Sequence, residues 1–171
     1  MFNFYEKISK LKNVERKGWK IRDVKNPENN RVESDAEHTF SMCMLAIKIM
    51  NAENLKLNQE KVLKMCLYHD LCEIEAGDTT PFDNLTKQAK YDKEIESIIS
   101  VSYVADMPEI LNLWKEFEEF KTPESKFVKA MDKLDMLMQA KVYAKVLNKP
   151  ELVEEFYNSA LPYIADYVKY I

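Results

Sequence analysis

The chain has 171 residues, 46% apolar and 32% charged, the balance of an ordinary globular protein able to bury a core. Its 25 basic and 29 acidic residues leave a formal net charge of −4 with no basic block, which argues against a duplex nucleic acid partner but leaves room for a small nucleotide. No run reaches membrane-span length and the opening "MFNFYEKISKLK" lacks an apolar signal core, so neither a membrane partner nor a secretory route is expected.

With only two glycines, Gly18 and Gly77, the chain is poor in hairpin turns and rich in helix formers, which predicts an all-α fold in one domain spanning 1–171. Residues 4–15 read as a short amphipathic helix with Phe4, Ile8 and Leu11 on one side. The stretch "RKGWKIRDVKNPENNRVESDAEH" breaks periodicity and reads as a structured loop, long enough to suggest a function. Ser34 or Asp35 can cap the next helix, whose predicted stripe is Phe40, Cys43, Met44, Ile47 and Met50. Asn58 is a plausible cap for a helix running to about Ala76, with Val62, Leu63, Cys66 and Leu67 as its stripe and Gly77 as its stop. "DTTPFDN" reads as a loop. Helices follow over 87–103 and, from Pro108, over 107–120. Thr122-Pro123 opens a long helix with Phe127, Met131, Leu134, Leu137 and Met138 inward, and a last helix runs from about 151 to 170. Cys43, Cys66 and Cys72 lie inside apolar helical runs at spacings that match no zinc motif, and read as reduced core residues of a cytoplasmic protein.

Several polar residues sit where packing does not want them. His69 follows Val62 and Cys66 at helical spacing and is expected to face inward. Asp70 is next in the chain, and Glu73 lies four residues after His69 and three after Asp70, in reach of both. Two carboxylates and an imidazole at one bundle edge repel and desolvate one another unless a cation compensates. His38 lies in the first turn of its helix, and Asp132 lies between Met131 and Leu134. His38, His69, Asp70 and Asp132 make a donor set suited to one divalent transition metal (Co, Mn, Fe, Ni or Zn), with open positions for water and a phosphoryl oxygen. Each member also has an ordinary reading. His69 can be a core histidine bonded to a carbonyl, and His38 a helix-start residue. Asp132 can pair with Lys129 or Lys133, and Asp135 is ambiguous in the same way.

The order of a histidine, a His-Asp pair and a distant aspartate resembles the HD-domain superfamily of metal-dependent phosphohydrolases. The phrases "RKGWKIRDV", "RVESDAEHTFSMCMLA", "LYHDLCEIEAGDTTP" and "KFVKAMDKLDMLMQA" are similar to its 5′-deoxynucleotidase branch, over roughly residues 7–147. The resemblance implies a bundle of about six to seven helices around one metal, with the metal-binding core over about 16–147. It implies His38, His69, Asp70 and Asp132 as ligands, Glu73 as the catalytic glutamate and Asp78 as an aspartate at the substrate and water site. Trp19 matches a tryptophan implicated in sugar recognition, although a loop tryptophan can equally plug a core edge. Where the bacterial pattern has a phosphate-binding arginine directly before that tryptophan, this chain has Gly18. Arg16 is the nearest substitute, with Arg22 and Arg31 as alternatives. The implied reaction is hydrolysis of a deoxyribonucleoside 5′-monophosphate by a cytoplasmic homodimer. The competing readings are an HD hydrolase acting on another phosphoester nucleotide, and a metal-stabilised helical dimerisation module without turnover.

Overall fold

The computed structural model describes residues 1–171 and is all-helical, with the isolated bridges Glu15–Ser34 and Asn26–Arg31 as its strand-like pairing. The α-helices are α1 (Phe2–Ser9), α2 (Lys17–Lys20), α3 (Asp35–Ala52), α4 (Gln59–Tyr68), α5 (Glu73–Ala76), α6 (Lys87–Ala105), α7 (Pro108–Glu119), α8 (Pro123–Leu147) and α9 (Glu151–Ile164). Seven of them have eight residues or more, while α2 and α5 are single turns. No helix is long and apolar enough to cross a membrane.

Local chemistry explains most boundaries. Ser34 and Glu37 close a reciprocal capping box on α3, the Asn58 side chain accepts from Lys61 N at the start of α4, and Thr122-Pro123 opens α8. Gly77, at φ 72°, takes the left-handed turn that ends α5. The helix expected over 58–76 is in fact broken. It stops at Tyr68, turns through His69–Cys72 on i→i−3 bonds (Leu71 N to Tyr68 O, 3.2 Å; Glu73 N to Asp70 O, 2.9 Å), and resumes as α5. The stretches expected to be loops hold the single turn α2 and a 3₁₀ turn over Pro81–Asp83, and both ends of the chain also differ. The N-terminal helix is α1 followed by a 3₁₀ turn over Lys10–Asn13, and the C-terminal helix gives way to a 3₁₀ segment over Ala165–Tyr170.

α8 is the central element and packs against α3, α4, α7 and α9. The larger core gathers Met42, Ile49, Val62, Met65, Met131, Leu134, Leu137 and Phe156. Each such side chain contributes about 1.5–3 kcal/mol by leaving water. A smaller cluster holds Leu71, Ile98, Ile110 and Trp114 beneath α1, α6 and α7. Tyr157, Tyr167 and Tyr170 pack the C-terminal segment onto the larger core, whereas Tyr163 is exposed.

Two predicted stripes are rotated from the buried face. On α3 the interior takes His38, Met42, Ala46, Ile49 and Met50, while Phe40 is 70% and Met44 53% exposed. On α4 it takes Val62, Met65 and Cys66, and Leu67 points outward. α3 is apolar around most of its circumference, so residue type alone cannot choose the inward face. The packing of α4 and α8 against α3 makes that choice.

Candidate active site

The capping box begins α3 at Asp35, and one turn later His38 points inward with no exposure. The turn after α4 presents His69 and Asp70, and the middle of α8 presents Asp132 and Asp135. His69, Asp70 and Asp132 line a cleft of about 500 Å³, and His38, Asp35 and Asp135 are buried behind its wall. His38 Nδ1 donates to Asp135 Oδ2 at 2.7 Å, and His69 Nδ1 donates to the Cys66 carbonyl at 2.8 Å. In the neutral imidazoles both Nε2 atoms are therefore the acceptors, and both are buried without a hydrogen-bond partner. His69 Nε2 lies 3.1 Å from Asp70 Oδ2, and His38 Nε2 lies 3.4 Å from Asp132 Oδ1 and 3.9 Å from Asp70 Oδ2.

Two orphaned imidazole nitrogens facing two carboxylates fit a divalent metal of intermediate softness, the donor set read from the sequence. The electrostatics carry the same demand. Burial and Arg16 disfavour a charged His38, yet Asp132 and Asp135 outweigh them and push its pKa up to about 10. Against the effect of burial, His69 and Arg16 hold Asp70 well below the usual carboxylate range, and Lys133 and His38 do the same for Asp132. The pairing of Asp132 with Lys129 (3.9 Å) and Lys133 (3.1 Å) does occur, but around a carboxylate buried in the cleft wall and not on a solvated face.

Glu73 does not complete this cluster. The break after α4 turns it toward Asp35 and Asp78, and one oxygen of each of these three carboxylates lies within 4.8 Å of the others. Burial pushes the Glu73 carboxyl well above its ordinary range, helped by the negative charges of Asp70 and Asp35. Burial also raises Asp78, although its Oδ2 accepts from the Lys17 backbone N–H at 2.6 Å.

The structure separates the three candidate arginines. Arg16 reaches into the cleft, 3.1 Å from Asp70 Oδ2 and 3.6 Å from Asp35 Oδ1. Arg22 sits at the cleft edge, engaged by Glu155 (Nε to Oε2, 3.0 Å) and packed over the Phe82 and Phe156 rings. Arg31 does not join the cleft. It pairs with Glu37 along a separate groove of about 870 Å³. Trp19 is on the cleft wall but only 2% exposed, wedged against Tyr143 and Phe156, with Nε1 donating to Glu33 Oε2 at 2.8 Å. Its core-edge reading therefore describes most of its surface.

Sequence reasoning missed Asp35 as a site residue, because an acid at a helix start has a sufficient local explanation. It left Asp135 ambiguous, although the spacing of three from Asp132 on one helix face was a usable signal. Lys90, Lys129 and Lys133 also line the cleft, so its cationic complement is larger than the loop alone suggests.

The chain is 36% identical over 162 residues to the 5′-deoxynucleotidase HDDC2 of Danio rerio, covering 93% of this chain and 77% of that protein. Among solved structures it is similar to a conserved hypothetical protein from Pyrococcus furiosus, at 28% identity and TM-score 0.78, covering 97% of this chain and 90% of that one. A "predicted metal-dependent phosphohydrolase" from Magnetospirillum magnetotacticum superposes with TM-score 0.72 at 25% identity, covering 94% and 81% of the two chains. The sequence model described as HD domain matches residues 8–170, and the chain belongs to that family.

Proposed function

We propose that the chain is a metal-dependent phosphomonoesterase that hydrolyses deoxyribonucleoside 5′-monophosphates to deoxynucleoside and phosphate. The observation that carries the reading is the pair of buried, unpartnered Nε2 atoms of His38 and His69 set against Asp70 and Asp132, beside a second carboxylate group in the same cleft. The names of its relatives supply the substrate class.

His38, His69, Asp70 and Asp132 hold the metal in this reading, and their chemistry suits Co, Mn, Fe, Ni or Zn. Such an ion supplies Lewis acidity toward a phosphoryl oxygen and water. Arg16 is the arginine placed to offset charge on the transferring phosphoryl group. Water attacks phosphorus, the P–O5′ bond breaks, and the leaving 5′ oxygen takes a proton. Glu73, whose burial favours its protonated form, is the proposed donor, and Asp78 orients the water or takes its proton. Trp19 backs the sugar end of the cleft, with its orientation held by Glu33. Arg22 contributes to the cleft edge only if Glu155 yields it. A 5′-triphosphate substrate is the second reading, favoured by Lys90, Lys129 and Lys133 in the cleft.

The proposed partner is a second copy of this chain, since Phe40 and Met44 expose apolar surface on α3. The free thiols Cys43, Cys66 and Cys72 suit a reducing, cytoplasmic setting. The test of function is phosphate release from a panel of nucleoside mono- and triphosphates with Co²⁺ or Mn²⁺ added to chelator-treated protein. Turnover of deoxynucleoside monophosphates that needs the metal is expected. Release from triphosphates alone favours the second reading, and metal binding without any release defeats both.

A further inference from the structure

One end of the cleft carries aromatic surface that neither the metal nor the proton chemistry uses. Phe82, in the 3₁₀ turn Pro81–Asp83, lines the cleft and is 65% exposed. Its loop is nonetheless fastened. The Phe82 N–H donates to Thr80 Oγ1 at 3.3 Å, and the Thr80 N–H donates to Asp83 Oδ2 at 2.7 Å. Lys17 ties the loop on both sides of the ring, through its N–H to Asp78 Oδ2 at 2.6 Å and through its ammonium to Asp83. An aromatic side chain held in water by a fixed backbone loses little freedom when a flat ligand covers it.

Arg22 backs this ring. Its guanidinium carbon lies 5.5 Å from the Phe82 centroid and 5.0 Å from that of Phe156, and Glu155 (3.0 Å) and the Gly18 carbonyl (2.6 Å) hold it there. Position along the cleft decides what can reach the pair. Trp19 N donates to Arg16 O and Arg22 N donates to Trp19 O, both at 3.1 Å, so Arg16, Trp19 and Arg22 follow one another along one side of α2 and its flanking turns. Six residues of such backbone rise about 9–12 Å, the scale of an extended nucleoside monophosphate. With the phosphoryl group at Arg16 and the sugar at Trp19, the base reaches Arg22 and Phe82. Polar groups at this end are spent on one another: Arg22 on Glu155 and Gly18, Thr80 on Asp83 (3.1 Å), and Ser159 on the Phe156 carbonyl (2.9 Å). What they leave open is a π face.

We propose that Phe82, backed by Arg22, is the platform on which the nucleobase of the substrate stacks. Stacking accepts every base, because each has a π face, and it strengthens with ring area. The site therefore takes purine and pyrimidine deoxynucleotides and favours the purines. Phe82 is a specificity-determining residue in this account, and Arg22 is a positioning residue behind it. The inference rests on the phosphomonoesterase reading for the direction in which the nucleotide lies.

The test compares a substrate that has a base with one that lacks it. Full-length protein loaded with Co²⁺ is assayed on deoxyadenosine 5′-monophosphate and on the methyl glycoside of 2-deoxyribose 5-phosphate, as wild type, Phe82→Ala and Phe82→Trp. Wild type is expected to favour the nucleotide in kcat/KM by at least about fivefold. Phe82→Ala should shrink that ratio by a similar factor through KM, and Phe82→Trp should keep it. NMR titration with deoxyadenosine needs neither phosphate nor turnover, and its Kd should rise at least about fivefold in Phe82→Ala. A nucleotide-to-glycoside ratio that Phe82→Ala leaves unchanged overturns the platform and leaves the proposed function standing. Equal losses on both substrates also overturn it, since they mark Phe82 as a support of the loop. Deoxyadenosine binding that depends on Phe82 in a protein that hydrolyses no monophosphate upholds the platform and defeats the proposed function. Deoxyadenosine binding indifferent to Phe82 removes the platform whatever the turnover.

Discussion

Asp135 accepts a hydrogen bond from His38 Nδ1 at 2.7 Å, and both groups are buried between α8 and α3. This contact sets the imidazole tautomer and leaves Nε2 as the acceptor facing Asp132 and Asp70. A metal ligand aimed by a carboxylate behind it is more basic and loses less freedom on binding. Asp135→Ala is therefore expected to weaken metal binding by about 10- to 100-fold. Phosphate release should fall at limiting metal and recover at saturating metal, a pattern that competition against a chelating dye can follow.

The same contact predicts a pH dependence. In the metal-free protein, Asp132 and Asp135 push the His38 pKa from 6.5 up to about 10. A histidine raised on folding contributes stability that is fully present below its unfolded pKa and is lost as pH rises through the folded one. Chelator-treated protein should accordingly melt at a lower temperature at pH 10 than at pH 6.5. Metal binding must displace the same proton, so affinity should fall as pH drops, and calorimetry in buffers of different ionisation heat should detect about one proton released.

Glu73→Gln separates catalysis from folding. If Glu73 delivers the proton to the leaving oxygen, kcat should drop by about 10²- to 10⁴-fold while metal stays bound at the histidines. Burial raises this carboxyl, and a raised carboxylate works against folding at pH above its unfolded pKa. The variant should therefore melt at or above the wild-type temperature near pH 7. Unchanged turnover would remove Glu73 from the mechanism.

Arg16 and Arg31 should respond oppositely. Arg16→Ala takes away the guanidinium that borders Asp70 and Asp35, and kcat/KM is expected to fall by at least about 10²-fold. Arg31 pairs with Glu37 outside the cleft. Arg31→Ala should leave kcat/KM within about twofold of wild type, since exposed pairs contribute little. Steady-state kinetics on one deoxynucleoside monophosphate compares them directly.

Trp19 reads first as a packing residue. Trp19→Phe keeps most of the buried ring area against Tyr143 and Phe156 but strands Glu33, which loses its indole donor. A loss of about 1–3 kcal/mol in stability is expected from denaturant melts. A change in preference between deoxyribose and ribose substrates, beyond what stability explains, would reveal contact with the sugar.

By itself the sequence determined the helical class, most helix starts and the residue types of the site. Each of these is written locally. A cap such as Asn58 or Thr122-Pro123 satisfies its own backbone, and His69-Asp70 in an apolar run is an anomaly visible without coordinates. Tertiary structure alone decided which face of α3 turned inward, because a helix apolar all round has no preferred side until α4 and α8 pack on it. It decided that Arg16 and not Arg31 borders the cleft, since one loop carries both and only its folding back separates them. It also broke the helix at His69–Cys72 and brought Asp35 beside Glu73 across 38 residues of chain. Short-range periodicity cannot report such a meeting, because the energy that drives it is the burial of the whole core and the charge left at its edge is what remains to be neutralised.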